Sequence, residues 1–290
     1  MSSTDQAKVS PQIIAYQGHE GAYSHLACRN VFPEAQALAY PSFEQAMQAV
    51  VKQEAQVAMI PIENSTAGRV EEIYRALPKA GLFIIGEYFQ PIHHCLLALP
   101  EANPTEIHTV ASHPQALAQC ARHIQALGLV AEAASDTAGA AKALAQANNL
   151  HQAAIASSIA AELYGLKILE SQFQDEDTNT TRFVILANCP IELTYQVKTP
   201  YLTSLLFKVR NLPAALYKSL GGFATNGINM VKLESYMDRR TFTATEFYLE
   251  VEAHPQDPAM QRALEELGFF AEDVRLLGSY HPHILRYQYA

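Results

Sequence analysis

The sequence predicts an α/β protein with two β/α lobes that face each other across a cleft, followed by a smaller βαββαβ unit. Up to residue 190, short apolar runs alternate with helix-like segments in two successive sets of similar plan. From residue 201 the order becomes strand, helix, two strands, helix and strand, which is the ferredoxin-like order. The segment 193–200, with prolines near it, is predicted to link the two parts.

The first set begins with an apolar strand at residues 13–16, which enters a turn with two glycines at residues 18–24 and continues as a helix. Such a turn lets backbone amides approach an anion, although its spacing differs from that of a dinucleotide fingerprint. A second strand, residues 57–60, ends in the polar run 61–68. Open α/β sheets bind ligands beyond the carboxyl ends of their strands, so a site is expected here.

The second set begins with a predicted crossover strand at residues 88–99. Ser112, followed by a proline two residues later, is typical of a helix start, and a helix is predicted from there to residue 127. Gln119 lies two turns beyond Ser112 on the same face of that helix, within reach of the same ligand. The apolar strand that starts at Phe183 is expected to return to the first lobe, which leaves a cleft between the lobes.

The C-terminal unit is predicted from residue 204 to residue 280, with helices at residues 212–225 and 258–267. Gly227 suits the position just after the first of these helices, because glycine adopts the left-handed conformation that ends many helices. The exposed strand edges of such a unit favour pairing with a second copy, so a homodimer or a homotetramer is expected.

Composition and charge exclude several classes of function. The net charge of −9 argues against nucleic-acid binding, which requires a basic surface. No apolar run approaches the roughly eighteen residues that cross a bilayer, and the polar N-terminus lacks a signal-peptide pattern, so a cytoplasmic protein without membrane contact is expected. The four cysteines show no CxxC spacing and are predicted to be reduced thiols.

The most informative stretch is residues 177–183, which reads Asp-Thr-Asn-Thr-Thr-Arg-Phe and leads into an apolar strand. Three hydroxyls, an amide and a guanidinium there suit a site that binds an anion and handles a proton, although an ordinary polar turn has the same composition. Only ten lysines and arginines precede Pro190, so helix N-termini are expected to contribute much of any anion binding.

Five motifs in this order resemble the prephenate dehydratase family: GHEGAYS at 18–24, PIENSTAG at 61–68, SHPQALAQC at 112–120, AIASSIAAELYGL at 154–166 and NTTRF at 179–183. Residues 204–280 resemble the ACT domain, a small-molecule sensor that follows the catalytic domain in that family. The resemblance spans residues 13–280. Because no chorismate mutase region is recognised, the resemblance is to the stand-alone form of the enzyme.

The resemblance implies a lyase that converts prephenate to phenylpyruvate in phenylalanine biosynthesis, without a metal or an organic cofactor. It implies a two-lobed, periplasmic-binding-protein-like catalytic domain at residues 11–190 and an ACT regulatory domain at residues 201–283. Thr181 matches the family threonine proposed to act at the hydroxyl that leaves. The substrate-binding residues implied by the same motifs are Asn64, Ser112, Gln119 and Arg182, with Glu63 and Phe183 as further candidates.

The resemblance also implies feedback regulation by L-phenylalanine through the ACT domain. The family's Gly-Ala-Leu segment is replaced here by Ala214-Ala215-Leu216, and its Glu-Ser-Arg-Pro segment by Glu234-Ser235-Tyr236-Met237. Loss of the glycine adds a Cβ, and loss of the arginine removes a planar group with several donors. The implied effector residues are Asn211, Leu212, Ala214, Ala215, Leu216, Glu234 and Ser235.

Three alternatives remain open from the sequence. Arogenate differs from prephenate by an amino group in its side chain, so the enzyme is alternatively an arogenate dehydratase. Two lobes and an ACT domain also suit an amino-acid sensor without catalysis, although the complete NTTRF stretch argues against that function. Finally, the ACT-like unit alternatively serves dimerisation alone.

Overall fold

The computed structural model describes residues 10–210, 212–237 and 244–288, and over these residues the chain forms three β-sheets. The first lobe opens with alternating strands and helices. Its elements are β1 (Ile13–Gln17), α1 (Tyr23–Val31), β2 (Gln36–Tyr40), α2 (Phe43–Val51), β3 (Val57–Asn64), β4 (Gly68–Arg69), α3 (Glu71–Ala80) and β5 (Phe83–Pro91).

The chain then crosses to the second lobe, which has its own five-stranded sheet. The elements are β6 (Cys95–Ala98), a 3₁₀ turn (Pro104–Glu106), β7 (Thr109–Ser112), α4 (Pro114–Gln119), α5 (Ala121–Ala126), β8 (Val130–Ala133), α6 (Thr137–Ala147), β9 (Gln152–Ala156), α7 (Ser158–Tyr164) and β10 (Lys167–Glu170). The strand order is β10-β6-β9-β7-β8.

The returning strand β11 (Thr180–Ala187) joins the first sheet, as the sequence predicts. It lies between β3 and β5, antiparallel to both, and gives the order β2-β1-β3-β11-β5 with β4 paired to β3. The chain therefore passes between the lobes twice, at residues 92–94 and 171–179. Two connected lobes with a cleft between them follow from this topology.

The C-terminal unit has the predicted βαββαβ order. Its elements are β12 (Leu202–Val209), α8 (Ala215–Thr225), β13 (Met230–Met237), β14 (Ala244–Val251), α9 (Pro258–Phe270) and β15 (Ala271–Tyr280), followed by a 3₁₀ turn (Ile284–Gln288). The antiparallel sheet has the order β13-β14-β12-β15. Gly227 has the left-handed φ of +70° expected just after α8.

Local side-chain signals explain where several helices begin. Ser42 accepts a hydrogen bond from the backbone amide of Gln45, and Asp136 accepts one from the amide of Gly139. Asp257 caps α9 in the same way, with Pro258 in the first turn. Each of these side chains satisfies an amide that has no partner within its own helix.

Two predicted elements differ from the structure. The single strand predicted at residues 88–99 is two strands, because residues 92–94 carry the chain from one sheet to the other. The helix predicted from Ser112 to residue 127 begins at Pro114 and is divided at Cys120 into α4 and α5. The returning segment causes this break: the Asp175 carboxylate accepts from the backbone amides of Arg122 and His123, the free amides at the start of α5.

The C-terminal sheet packs directly on one face of the first sheet. Leu202, Leu206 and Tyr248 lie in the same buried cluster as Ile60 and Val184 of the first lobe. The opposite face of the C-terminal sheet packs against α8 and α9. The first lobe and the C-terminal unit therefore share a core, and the domain division at residues 190–201 remains a prediction.

Two further features concern the cysteines and the helix lengths. The four cysteines are unpaired, with Cys28, Cys95 and Cys120 buried and Cys189 exposed. Within the described parts of the chain, no helix has the length and apolar character needed to cross a membrane.

Gly278 on β15 permits a close backbone approach between the C-terminal sheet and the first lobe. A Cβ at this position would lie 1.9 Å from the carbonyl oxygen of Ile84 on β5. Gly278→Ala is expected to lower the free energy of unfolding by about 3 kcal/mol, since neither backbone can move aside without disturbing its sheet. Denaturant titration measures this change.

Gly221→Ala is the matched control. A Cβ at Gly221 meets no atom within 4 Å, and the residue lies inside α8. Alanine there is expected to raise stability by up to about 1 kcal/mol through its better helix propensity. Equal effects of the two substitutions would contradict the importance of the contact at Gly278.

Candidate active site

The cleft between the lobes holds a cavity of about 840 Å³. The first turns of three helices line it: residues 22–24 at α1, residues 113–116 at α4 and residues 135–137 at α6. The glycine turn at residues 18–20 is also part of the wall. Free amides at helix starts favour anions, so these walls suit a negatively charged ligand.

Strand β11 divides its side chains between the cavity and the core behind it. Thr181 and Phe183 line the cavity, whereas Arg182 points to the opposite face, as alternation along a strand requires. In the neighbouring strand β3, Glu63 pairs with Arg182 and Pro61 pairs with Phe183. Ile62, which lies between them, is an extra residue without a partner on β11. This bulge changes the alternation of β3, so that Asn64 lines the cavity and Glu63 does not.

Asn64 holds the hydroxyl of Thr181. Its Oδ1 accepts from the backbone amides of Thr66 (3.0 Å) and Ala67 (2.9 Å), and this fixes which way the side-chain amide faces. Its Nδ2 therefore donates to Asn179 Oδ1 (2.7 Å) and to Thr181 Oγ1 (2.9 Å). Because the Thr181 oxygen already accepts a hydrogen bond, its own hydrogen is the part available to donate to a ligand.

The same direction of donation continues across the cleft. Asn179 Nδ2 donates to Gln119 Oε1 (2.9 Å), and Gln119 Nε2 donates to Thr66 Oγ1 (2.9 Å). His94 Nε2 lies 2.9 Å from the same Gln119 Oε1. A carbonyl oxygen only accepts, so His94 Nε2 must carry the proton, and its Nδ1 is then free to accept.

His94 is suited to stay neutral in this arrangement. Burial lowers its pKa, although the hydrogen bond to Gln119 acts in the opposite direction. Its Nδ1 lies 2.8 Å from the hydroxyl of Tyr23, which is 2.9 Å from the carbonyl of His93. The Tyr23 hydroxyl donates to that carbonyl and also contacts the ring nitrogen, and the amide network ends on this half-buried phenol.

Polar groups at the edge of the cavity also join the lobes. His19 Nδ1 lies 3.0 Å from Asp136 Oδ2, and both residues line the cavity. Arg69, Lys142 and Glu20 line it as well. Among the residues described, no three His, Cys, Asp or Glu side chains are grouped as metal ligands.

Behind β11, three carboxylates and three cations form a buried network. Arg182 lies 2.8 Å from Glu87, 2.8 Å from Glu250 on β14 and 3.5 Å from Glu63. Lys232 on β13 pairs with Glu63, and Arg286 pairs with Glu87. The side chains of Arg182, Glu87 and Glu250 are almost completely buried. The ion pairs within the network must therefore compensate each charged group for its lost hydration.

The pKa values of two of these carboxyl groups reflect that balance. Burial alone would raise the pKa of Glu87, but the hydrogen bond from Arg286 and the charge of Arg182 lower it overall. Burial likewise acts to raise the pKa of Glu63, and the Arg182 and Lys232 cations lower it overall. Both carboxylates stay ionised at neutral pH.

The predicted site residues therefore divide into two groups. The structure brings Thr181, Asn64, Gln119 and Phe183 together around the cavity. It places Ser112, Glu63 and Arg182 elsewhere. Arg182 and Glu63 pair with each other in the buried network behind β11 and do not line the cavity, so this geometry gives their predicted substrate-binding role no support and the role stays a prediction.

Ser112 also differs from its prediction. It is the last residue of β7, fully buried, and its hydroxyl donates to the carbonyl of Ile155 (2.6 Å). His113 caps α4 instead, with Nδ1 accepting from the amide of Gln115. Ser112 and Gln119 therefore do not share a helix face.

Residues 14–190 match the sequence profile described as prephenate dehydratase. The chain belongs to the prephenate dehydratase family. The predicted enzyme class is thereby confirmed.

Three similar proteins show the range of this family. The chain is 46% identical over 269 residues to a bifunctional N-acyl-homoserine lactone acylase/prephenate dehydratase of Komagataeibacter europaeus, covering 93% of this chain and 95% of that protein. It is 41% identical to the chloroplastic arogenate dehydratase/prephenate dehydratase 6 of Arabidopsis thaliana, covering 92% of this chain and 68% of that protein. The structure of Arthrobacter aurescens prephenate dehydratase in complex with L-Phe is 28% identical, with a TM-score of 0.83 and coverage of 93% of this chain and 89% of that chain.

A second cavity, of about 760 Å³, lies in the C-terminal unit. Ala214 has a φ of +60°, a left-handed conformation, at the position where the family has glycine. Asn211 lies outside the described residues. The predicted effector residues that line this cavity are Leu212, Ala214, Ala215, Leu216, Glu234 and Ser235.

Sequence reasoning did not single out several polar residues of the cleft. Tyr23, Thr66 and Asn179 lie inside the quoted motifs, so the motifs did mark their positions. His94 lies outside them, and the sequence offered no signal beyond its place in the crossover segment. Its role depends on the break between β5 and β6, which the apolar pattern did not show.

Removing the charge of Arg182 is expected to destabilise the protein strongly. Arg182→Met leaves Glu250 buried with its remaining cation, Arg286, 3.7 Å away. The expected loss in the free energy of unfolding is about 3–5 kcal/mol, typical of a buried charge that loses its partner. Chemical denaturation measures it.

Arg29→Met tests whether this loss is specific to the buried network. Arg29 forms an ion pair with Glu162 in which both side chains are largely exposed. Its loss is expected to cost no more than about 1 kcal/mol. A cost at Arg182 as small as that at Arg29 would refute the importance of the network.

Proposed function

We propose that the protein converts prephenate to phenylpyruvate, with loss of carbon dioxide and water, in L-phenylalanine biosynthesis. The observation that carries this proposal is the hydroxyl of Thr181 in the cleft, with its oxygen held by Asn64. A hydroxyl fixed in this way presents its hydrogen to a ligand rather than to the protein. Prephenate requires such a donor at the ring hydroxyl that leaves as water.

The chemistry of the reaction fits the walls of the cleft. The ring carboxylate leaves as carbon dioxide, and the electrons of the broken bond form the aromatic ring as the hydroxyl departs. A free threonine is a weak acid, so Thr181 donates a hydrogen bond to the leaving oxygen and orients it, and the proton that converts the departing hydroxide to water comes from solvent. Asn64 and Gln119 keep the polar groups in place, and Phe183 offers an apolar wall for the ring.

The substrate's charge is matched by several local groups. Prephenate carries two carboxylates, and the protein as a whole is negatively charged. Binding therefore depends on the helix starts around the cavity and on Lys142 at its edge. The proposed reaction needs no cofactor in addition to the side chains of the cleft.

Arogenate is the second candidate substrate. The Arabidopsis relative carries arogenate dehydratase in its name. Arogenate has an ammonium group where prephenate has a keto group, and Glu20 lines the cavity as a carboxylate that suits an ammonium group. Comparison of kcat/KM for the two substrates decides between them.

We also infer that residues 201–283 form an ACT domain that binds L-phenylalanine in the second cavity. The Arthrobacter relative was crystallised with L-Phe. Ser235 lines the cavity, and its hydroxyl suits the ammonium group of an amino acid, whereas the carboxylate of Glu234 pairs with Arg69 and Lys232. The exposed apolar side chains of Met230, Val231 and Leu233 on edge strand β13 suit a homodimer or homotetramer.

The first test is phenylpyruvate formation from prephenate by the wild-type protein and by Thr181→Val. Valine keeps the shape of the side chain and removes its hydroxyl. We expect turnover by the wild type and a fall in kcat of about 100-fold or more in the variant, with KM changed only a few-fold, because donation to a leaving group acts in the transition state.

Thr178→Val is the control, since it changes an exposed threonine of the same stretch. It is expected to keep kcat within about twofold of the wild type. Unchanged thermal unfolding of Thr181→Val shows that the fold is intact. Near-normal turnover by that variant removes Thr181 from the mechanism, and no turnover of prephenate or arogenate by the wild type contradicts the proposed function.

L-phenylalanine is expected to suppress turnover of prephenate at a concentration at which D-phenylalanine has little effect. The two enantiomers have the same charge and apolar area, so a difference requires a shaped site. Initial rates over a range of each amino acid measure the effect. Rates indifferent to both would leave the C-terminal unit as a scaffold or as the site of another effector.

A further inference from the structure

The chain passes between the lobes twice, and the two passages meet at one side chain, that of Gln119. His94 lies in the first passage and Asn179 in the second. His94 Nε2 and Asn179 Nδ2 each lie 2.9 Å from Gln119 Oε1. Gln119 is the last residue of α4 in the second lobe, and its Nε2 donates to Thr66 Oγ1 in the first lobe. One side-chain amide therefore joins both passages to both lobes.

The direction of the Gln119 amide is set by its partners, because its oxygen and nitrogen ends have nearly the same shape. The oxygen receives a proton from His94 as well as one from Asn179. Half a turn of the amide would place its nitrogen against these two donors. It would also place its oxygen against that of Thr66, whose hydroxyl already donates to Asn64. Two backbone amides fix the row of side-chain amides at Asn64, and His94 fixes it at the opposite end.

The position of the His94 ring is itself closely fixed. The side chain is almost completely buried. Its backbone amide donates to Gln174 Oε1 (2.8 Å), and its carbonyl accepts from the amide of Phe173 (2.8 Å), so both backbone groups pair with the second passage. The ring meets that of Tyr23 edge-on, with 5.6 Å between the centroids. A ring held on these sides can present its Nε2 in one direction.

We infer that His94 is a positioning residue of the proposed reaction. The Nε2 proton of His94 holds the side-chain amide of Gln119 in one direction. In that direction Gln119 accepts from Asn179, whose own oxygen accepts from Asn64. Asn64 then holds the hydroxyl of Thr181. The inference rests on the proposed function, because Thr181 is the donor to the leaving group there, and His94 acts on it through the amides.

The test replaces the imidazole by two amides of different length. In His94→Gln the amide nitrogen is as many bonds from the backbone as Nε2, so donation to Gln119 is kept. In His94→Asn the side chain is one bond shorter, so its amide reaches the position of Nδ1 and this donation is lost. We expect kcat for prephenate to fall about 10-fold in His94→Asn, the size of one hydrogen bond, and less than about threefold in His94→Gln.

The pattern of the steady-state constants separates positioning from packing. KM is expected to stay within about threefold of the wild type in both variants, because the lost direction matters in the transition state. A histidine that only fills space predicts equal falls in kcat, since both variants lose the ring. Equal falls would therefore overturn the inference. Thermal unfolding of each variant measures any loss of the fold.

His108→Asn is the matched control for the loss of an imidazole. His108 is an exposed residue of the second lobe whose ring stacks on that of His151, and it does not line the cleft cavity. Its kcat and KM are expected to stay within about twofold of the wild type. A kcat for His94→Asn equal to that of this control would contradict the positioning role.

A double variant tests whether His94 acts through Gln119. Gln119→Met keeps the length of the side chain and removes its amide. In that background, His94→Asn is expected to leave kcat unchanged, because the group through which His94 acts is gone. A fall in kcat of the same size in both backgrounds would overturn the link.

Nitrogen NMR of the wild-type protein, with its histidines labelled with ¹⁵N, tests the inference without any reaction. The signals of His94 are those that disappear in His94→Gln. We expect its proton on Nε2, and a neutral ring with the proton on Nδ1 would overturn the inference even if the variants did not fold. Absence of wild-type turnover would instead contradict the proposed function, and the same spectrum would still decide whether His94 donates to Gln119.

Discussion

The burial of one guanidinium determines which side chains of strand β11 face the cleft. Arg182 lies in the middle of β11, and strand alternation places its side chain opposite those of Thr181 and Phe183. A buried cation needs several carboxylates, and these come from three other strands, β3, β5 and β14. With Arg182 fixed among them, Thr181 and Phe183 have to face the cleft. The chemistry on one side of β11 thus depends on a charge balance on the other.

Most of the fold could be predicted from the sequence because its signals are local. Apolar runs of strand length, the Asp136 cap and Gly227 after α8 each act within a few residues. The errors arose where a distant segment changed the local structure. Asp175 divides the helix after Pro114 by capping α5, although the two are more than fifty residues apart. Local propensity carries no information about such an insertion.

The candidate site could be predicted in part for the same reason. Thr181, Asn64, Gln119 and Phe183 lie in motifs, and all four line the cleft. Glu63 and Arg182 lie in the same motifs but face the C-terminal sheet. Their orientation depends on the bulge at Ile62 and on partners such as Glu250, which no local pattern could connect with them. The motifs predicted both residues to bind substrate, and their polarity did not indicate that their partners lie within the protein.

The amide network explains how neutral side chains can prepare a site for an anion. Two backbone amides fix the orientation of the Asn64 side chain. Each side-chain amide in the network then fixes the orientation of the next one, as far as the neutral ring of His94. No group in this hydrogen-bond network needs to change its protonation state near neutral pH. The hydrogen of Thr181 is therefore presented by geometry that was settled on folding, which lowers the reorganisation needed during the reaction.

The strengths of the contacts decide which of them can transmit a signal between the two cavities. Typical allosteric coupling amounts to about 1–3 kcal/mol, whereas separating Arg182 from its buried carboxylates costs about 3–5 kcal/mol. An effector bound to the C-terminal unit has too little energy to open that network. The partly exposed pair of Arg69 with Glu234 is worth at most about 1 kcal/mol, so it can change partners while the shared core stays closed. Regulation in this molecule is therefore expected to act through such partly exposed contacts between the first lobe and the C-terminal unit, with Thr181 kept in place.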